Sequence, residues 1–192
     1  MANILIILGN TKTKSFGKAL VDSYEKGARA GVHNVRRINL RDLKFDPILW
    51  EGLDKPQKLE QGLVEAQKSI SWADHLVFEY PNWWMVVPAI LKGFIDRTFT
   101  SGFAFRYVEG KLMPEKLLKG KSARLLVTMD LPPMGYWLMF GSPGHKMMKR
   151  GVLKFCGIKP VRISSFGSLR KSSDEKKAKW LMEVERLGRK AK

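Results

Sequence analysis

The chain has 192 residues, 44% of them apolar and 28% charged, which suits one globular domain over residues 1–192 and excludes a disordered or low-complexity chain. Lysine and arginine number 35 against 18 aspartate and glutamate, a net charge of +17. A single cysteine, Cys156, excludes an internal disulfide, three scattered histidines offer no zinc pattern, and no apolar run approaches the roughly 20 residues of a membrane span.

Residues 1–10 lack a basic segment followed by a long apolar one, so no secretory leader is expected and the cytoplasm is the expected compartment. Ile4-Leu5-Ile6-Ile7-Leu8 is a continuous apolar run, the pattern of a strand buried on both faces of a parallel sheet. Ser15 then precedes a helical stretch with Phe16, Leu20, Tyr24 and Ala28 at four-residue spacing, stopped by Gly31. Residues 35–40 read as a more exposed second strand and 57–72 as a helix with Leu59, Leu63, Ala66 and Ile70 on one face. A third strand covers 76–80 and ends at Pro81. Residues 87–99 read as a helix that tolerates Pro88 in its first turn, and 101–112 as a hairpin. A fourth strand at 125–128 leads into a Pro/Gly-rich stretch, 129–143, expected to be a loop. A helix at 145–156, a fifth strand at 161–166 and a last helix at 173–188 complete the chain.

Strand and helix thus alternate five times, with the hairpin inserted. That order predicts an α/β, flavodoxin-like three-layer sandwich around a five-stranded parallel sheet of order 2-1-3-4-5. The charge is concentrated: residues 141–192 hold 15 Lys and Arg against 4 Asp and Glu, a net of +11. Such a field draws anions, whether an anionic membrane surface, an acidic protein partner or a phosphorylated cosubstrate. No nucleic-acid-binding motif accompanies it, so no specific nucleic acid is expected.

In open parallel sheets, ligands bind beyond the carboxyl ends of the strands at the switch point, which directs attention to three loops. The first, 9–17, combines hydroxyls, Lys12, Lys14 and a helix start, which suits either a phosphate or a plain Ser15 cap on the helix, and it carries neither a Walker A nor a Gly-Xaa-Gly-Xaa-Xaa-Gly sequence. The second, 81–88, carries Trp83 and Trp84, which suit either a planar ring or burial in a core or subunit contact. The third, 128–136, is stiffened by Pro132 and Pro133 and brings the hydroxyl of Tyr136, either for developing negative charge or as part of a lid. Together they describe a site for flavin mononucleotide.

The segment Tyr80-Pro81-Asn82-Trp83-Trp84-Met85-Val86-Val87-Pro88-Ala89-Ile90-Leu91-Lys92-Gly93-Phe94-Ile95-Asp96-Arg97 closely resembles the core motif of the NAD(P)H:quinone oxidoreductase family, which includes bacterial general-stress-type and potassium-efflux-ancillary reductases. Gly102-Phe103-Ala104-Phe105, Ser15-Phe16 and Leu153-Lys154-Phe155-Cys156-Gly157 are similar to that family as well, and the likeness spans residues 4–166. The resemblance implies that Asn10, Lys14, Ser15, Phe16 and Gly17 contact the flavin phosphate and ribityl chain. It places Pro81, Asn82, Trp83, Trp84 and Met85 along the isoalloxazine ring, and Thr128, Met129, Asp130 and Leu131 on its third side. Tyr136 matches the family's active-site tyrosine. His145, at a longer spacing than the family's histidine, is the candidate partner, and a solvated helix-start histidine is the alternative. The third loop departs from the family by carrying Met129-Asp130 in place of paired glycines.

The implied activity is ping-pong hydride transfer from NAD(P)H through FMN, or alternatively FAD, to a quinone or similar acceptor. A homodimer is implied too, with Phe45, Ile48 and Trp50 at its expected contacts. The competing reading is a flavodoxin-like regulatory or electron-transfer subunit that docks on a membrane transporter or other acidic partner.

Overall fold

The computed structural model describes residues 1–52 and 55–192. Its central sheet contains β1 (Asn3–Leu8), β2 (Asn34–Asn39), β3 (His75–Pro81), β6 (Ser122–Thr128) and β7 (Val161–Phe166), all parallel and in the order β2-β1-β3-β6-β7. Counted without the inserted ribbon, this is the expected order 2-1-3-4-5. The run at 4–8 is apolar throughout because both sheet faces are covered. Leu5 and Ile7 enter one core cluster, while Ile4, Ile6 and Leu8 enter the other.

The second cluster lies under α1 (Phe16–Ala30) and α6 (Asp174–Arg189). These two helices meet so closely that a Cβ on Gly188 would fall 2.1 Å from the Tyr24 carbonyl oxygen. The first cluster lies under α2 (Gln61–Trp72), α3 (Ala89–Thr98) and the helical segment after residue 143. Arg97, on α3, is buried to 1%, and its guanidinium donates to the Lys58 carbonyl at 2.8 Å and to Glu60 at 2.9 Å. It thereby ties the segment entering α2 to the body of the fold.

Several expectations shift. The helix expected from residue 57 begins at Gln61, because Lys58 and Glu60 instead serve Arg97. The hairpin is β4 (Phe105–Arg106) paired antiparallel with β5 (Glu115–Lys116), so its second arm lies beyond Leu112. The stretch 129–143 is not a plain loop: α4 (Pro133–Phe140) forms within it, with Pro133 in the first turn and Gly141 ending it at φ 65°. The helix expected at 145–156 starts as α5 (Pro143–Lys146) and widens into a π-type stretch, Met147–Lys154. Pro81 is the last residue of β3, opposite Thr128, rather than the residue just after it. None of the described helices is long and apolar enough to cross a membrane.

Candidate functional site

The loops that leave β1, β3 and β6 converge on a cleft of about 230 Å³ at the carboxyl end of the sheet. A turn after β7 forms a fourth side through Leu169. The volume lies below the roughly 300–1,000 Å³ of a pocket that encloses a whole ligand, as suits a groove that grips one part of a larger molecule.

The first wall is built by two local hydrogen bonds. Asn10, 6% exposed, accepts the Lys12 N–H on its side-chain oxygen at 3.0 Å and folds the loop back. Ser15, in extended backbone, caps α1 by accepting the Lys18 N–H at 3.1 Å. The next amides, of Phe16 and Gly17, lie in the first helical turn, where no intrahelical acceptor exists. That turn contains no acidic residue of its own, and its positive end faces the cleft. The Phe16 ring turns away to pack on Phe166 and Trp180, with ring centroids 6.4 and 5.9 Å apart. Phe16 therefore serves the cleft through its backbone and the core through its side chain. Lys12 and Lys14 stand exposed at the rim.

The second wall is a tight turn at the end of β3. Trp83 and Val86 exchange two backbone hydrogen bonds of 3.0 Å, and Trp84 and Met85 between them have φ of 50° and 67°. Non-glycine residues rarely hold this geometry, and two in succession form a mirror-image turn that something must brace. The brace is Tyr136. Its hydroxyl donates to the Met85 carbonyl at 3.0 Å and accepts the Gly144 N–H at 2.9 Å. Gly144 has no room for a side chain, since a Cβ would fall 2.5 Å from the Met85 oxygen and 3.0 Å from the Tyr136 hydroxyl.

Of the residues expected at the site, Asn10, Lys14, Ser15, Phe16, Gly17, Pro81, Asn82, Trp83, Thr128, Met129 and Asp130 line the cleft together. Trp84, Met85 and Leu131 do not: Trp84 is 96% exposed at the turn's tip, Met85 contributes the braced carbonyl, and Leu131 packs on the core. The rings of Tyr136 and His145 lie with centroids 5.1 Å apart and nearly perpendicular, behind the second wall. Tyr136 is fully buried, and its hydroxyl is engaged by the Met85 carbonyl and the Gly144 amide. Burial raises the Tyr136 phenol and lowers His145, whose Nε2 lies 3.4 Å from the Ser165 hydroxyl.

The sequence reading missed three features. Leu169 lies on the turn after the last strand, outside the three loops that the switch-point rule selects. Arg170 next to it pairs with Asp130 at 2.9 Å, which ties the third and fourth walls. Glu79 was hidden inside an otherwise apolar strand. It is completely buried, and neither carboxyl oxygen has a hydrogen-bond partner of ordinary geometry. Burial pushes its carboxyl up to about 8, and the Asn10 amide offsets this only in part. A carboxylate in a strand core, two residues before the loop, was the available signal.

A family model described as "Flavodoxin-like fold" matches residues 2–189. An "Uncharacterized NAD(P)H oxidoreductase" of Haemophilus influenzae is 29% identical over 96% of this chain and 92% of its own length. The human "Ribosyldihydronicotinamide dehydrogenase [quinone]" is 30% identical over 91% of this chain and 85% of its own. A solved structure of a Streptococcus mutans UA159 protein superposes with a TM-score of 0.85 at 32% identity, covering 98% of this chain and 99% of that one. With the sheet order, the cleft at its switch point and these likenesses in agreement, the chain belongs to the flavodoxin-like NAD(P)H:quinone oxidoreductase family.

Proposed function

We propose that this oxidoreductase binds FMN in the cleft and uses it to carry electrons from NAD(P)H to a quinone or similar planar acceptor. FAD is the alternative cofactor. The observation that carries the reading is the union, in one groove, of an acid-free helix start and a half-exposed tryptophan: Trp83 is 42% exposed on the second wall, opposite the first turn of α1. A phosphate needs the former and a flat ring the latter.

The residues present fit such a group. The amides of Phe16 and Gly17, with Lys12 and Lys14, would hold its phosphate, and Trp83, Asn82 and Pro81 would flank its ring. When bound, a flavin supplies the redox chemistry, accepting hydride from the nicotinamide and passing two electrons to the acceptor in a separate encounter. The protein's part is to hold the walls still. Tyr136 fixes the strained turn at Trp84 and Met85, and Gly144 leaves room for that hydroxyl. Arg170 secures the Asp130 wall.

A homodimer belongs to the same proposal. The helix α4 exposes Met134, Trp137, Leu138 and Met139, each more than 60%, and its Tyr136 bonds the turn that carries the exposed Trp84. An apolar surface of that kind marks an interaction face. Of the expected dimer contacts, Trp50 and Ile48 are exposed at 67% and 48%, whereas Phe45 packs edge-on to Phe94. Sedimentation at twice the monomer mass supports this assembly, and a monomer at all concentrations removes it.

The activity itself is tested with purified protein loaded with FMN. The yellow complex should bleach on adding NADH or NADPH under argon and recolour on adding a benzoquinone. A bound flavin that neither nicotinamide bleaches would contradict the proposal.

A further inference from the structure

We propose that Glu79 makes the hold on a phosphate-bearing cofactor proton-linked: the cleft grips the phosphate while the Glu79 side chain is a neutral acid, and loosens as that side chain ionises. The inference rests on the flavin reading of the cleft and adds a control which that reading does not require.

The geometry turns on one glycine, which both lines the cleft and covers the Glu79 carboxyl. Glu79 lies in register with Leu8 of β1 and Leu126 of β6, so its carboxyl is flanked by apolar side chains within the sheet. Gly17 of α1 closes over it, and a Cβ there would fall 1.8 Å from Oε1. The same Gly17, with Ser15 and Phe16, lines the cleft. A carboxylate under Gly17 and a phosphate in the cleft would compete for the same amide dipoles, and would repel each other with little water between them.

Nothing around Glu79 neutralises it. From the first loop comes Asn10, which is buried and uncharged. From α1 come Ser15, Phe16 and Gly17, with Lys18 turned out to Asp22 at 2.7 Å. Farther back on the same face of β3 stands His75, stacked on Tyr24 of α1, and Tyr80 enters the core cluster on the opposite face. The charges of the cleft walls are Lys12, Lys14 and Asp130, the last paired with Arg170. Among the described residues none makes an ion pair with Glu79. The burial that pushes its carboxyl up to about 8 puts the transition within reach of mild alkali. By linkage, an anion bound in the cleft at Gly17 raises that position further, and ionisation weakens the anion by the same factor.

The test compares FMN with riboflavin, which has the same ring and no phosphate. Each is titrated into apoprotein and followed by quenching of flavin fluorescence, for the wild type and for Glu79→Gln. Measurements run from about pH 7 to about pH 9.5, above the second ionisation of a phosphate monoester near 6. The expected result is a wild-type Kd for FMN that rises at least about tenfold across this range while that for riboflavin stays level. Glu79→Gln should hold FMN at the low-pH affinity throughout. Parallel FMN profiles in both proteins overturn the proposal. Calorimetry of FMN binding to the wild type at about pH 8.5, in buffers of different ionisation enthalpy, gives a readout independent of how the variant folds. Net proton uptake supports the proposal and its absence overturns it. Failure of either flavin to bind at any pH is a separate result, which overturns the cofactor reading on which the inference stands.

Discussion

The two ends of the parallel sheet both gather cations, yet they are built differently. At the carboxyl end the cleft is small, about 230 Å³, and its donors include backbone amides fixed by the Asn10 turn and the Ser15 cap. At the amino end a larger basin of about 410 Å³ is lined by Lys116, Lys119, Lys149, Lys154 and Lys159 around Gly157, Pro160 and Val161. None of those five lysines pairs with a carboxylate among the described residues. The basin therefore has more charge and more room, but its donors sit on flexible side chains that must be ordered by whatever binds. The contrast separates attraction from selection: net charge concentrates anions, whereas fixed amides and a fitted ring wall choose among them.

The strand β3 joins the two ends and holds a buried titratable group at each. At the amino end burial pulls His75 down to about 4, with Nδ1 2.7 Å from the Ser122 hydroxyl. At the carboxyl end burial pushes Glu79 up to about 8. Both are neutral at pH 7, but they couple to stability with opposite signs. Folded His75 releases its proton more readily than the unfolded chain does, so its contribution is complete above 6.5 and is lost as pH falls toward about 4. Folded Glu79 retains its proton, so its contribution is complete below 4.5 and is lost as pH rises toward about 8. The two slopes oppose each other below pH 6.5, which leaves the Glu79 loss exposed between about 6.5 and 8.

The largest expected effect follows. Glu79→Gln should stabilise the protein at about pH 9 by several kcal/mol, on the order of 4, with little gain near pH 5, as read from urea midpoints at the two pH values. Equal gains at both would mean that the carboxyl does not titrate in the folded state. Next in size is Gly17→Ala. Its methyl meets the Glu79 carboxyl and should cost about 1–3 kcal/mol of stability while weakening FMN about tenfold or more. An alanine variant with wild-type FMN affinity would detach the first turn of α1 from the site.

Tyr136→Phe is smaller. It removes the hydroxyl that braces Met85 and Gly144, for about 1–2 kcal/mol of stability and a several-fold weaker hold on flavin. Stopped-flow rates for both half-reactions, measured at saturating flavin, should then be close to wild type. A large loss in the acceptor half-reaction alone would mark Tyr136 as a catalytic residue. The smallest effect is expected at the other end of the sheet. Lys149→Ala with Lys159→Ala should leave the Kd for FMN within about twofold at moderate salt, because surface charges more than a Debye length of about 8–10 Å away are screened. A tenfold change would mean that the two ends communicate.

The sheet is legible because its central strands announce themselves by largely apolar runs, and the switch-point rule then points to most of the cleft. What escaped did so for identifiable reasons. The helix α4 reads as a loop because Pro132 precedes it, Pro133 opens it and its residues are apolar all round, with no amphipathic period to count. The strained turn at Trp84 and Met85 could not be read, because non-glycine residues at positive φ carry no local sequence mark. It followed that Trp84, expected under the ring, points to solvent, and that Tyr136, expected in the cleft, lies behind the wall it supports. Glu79 reads as a surface residue by type, and its burial is decided by long-range pairing with Leu8 and Leu126.

The most direct test of the central claim is a crystal of the protein grown or soaked with FMN. The account predicts difference density at the carboxyl end, with phosphate at the first turn of α1 between Ser15 and Gly17 and the ring against Trp83. Density for FMN in the lysine-lined basin at the amino end, with the carboxyl-end cleft empty, would contradict it.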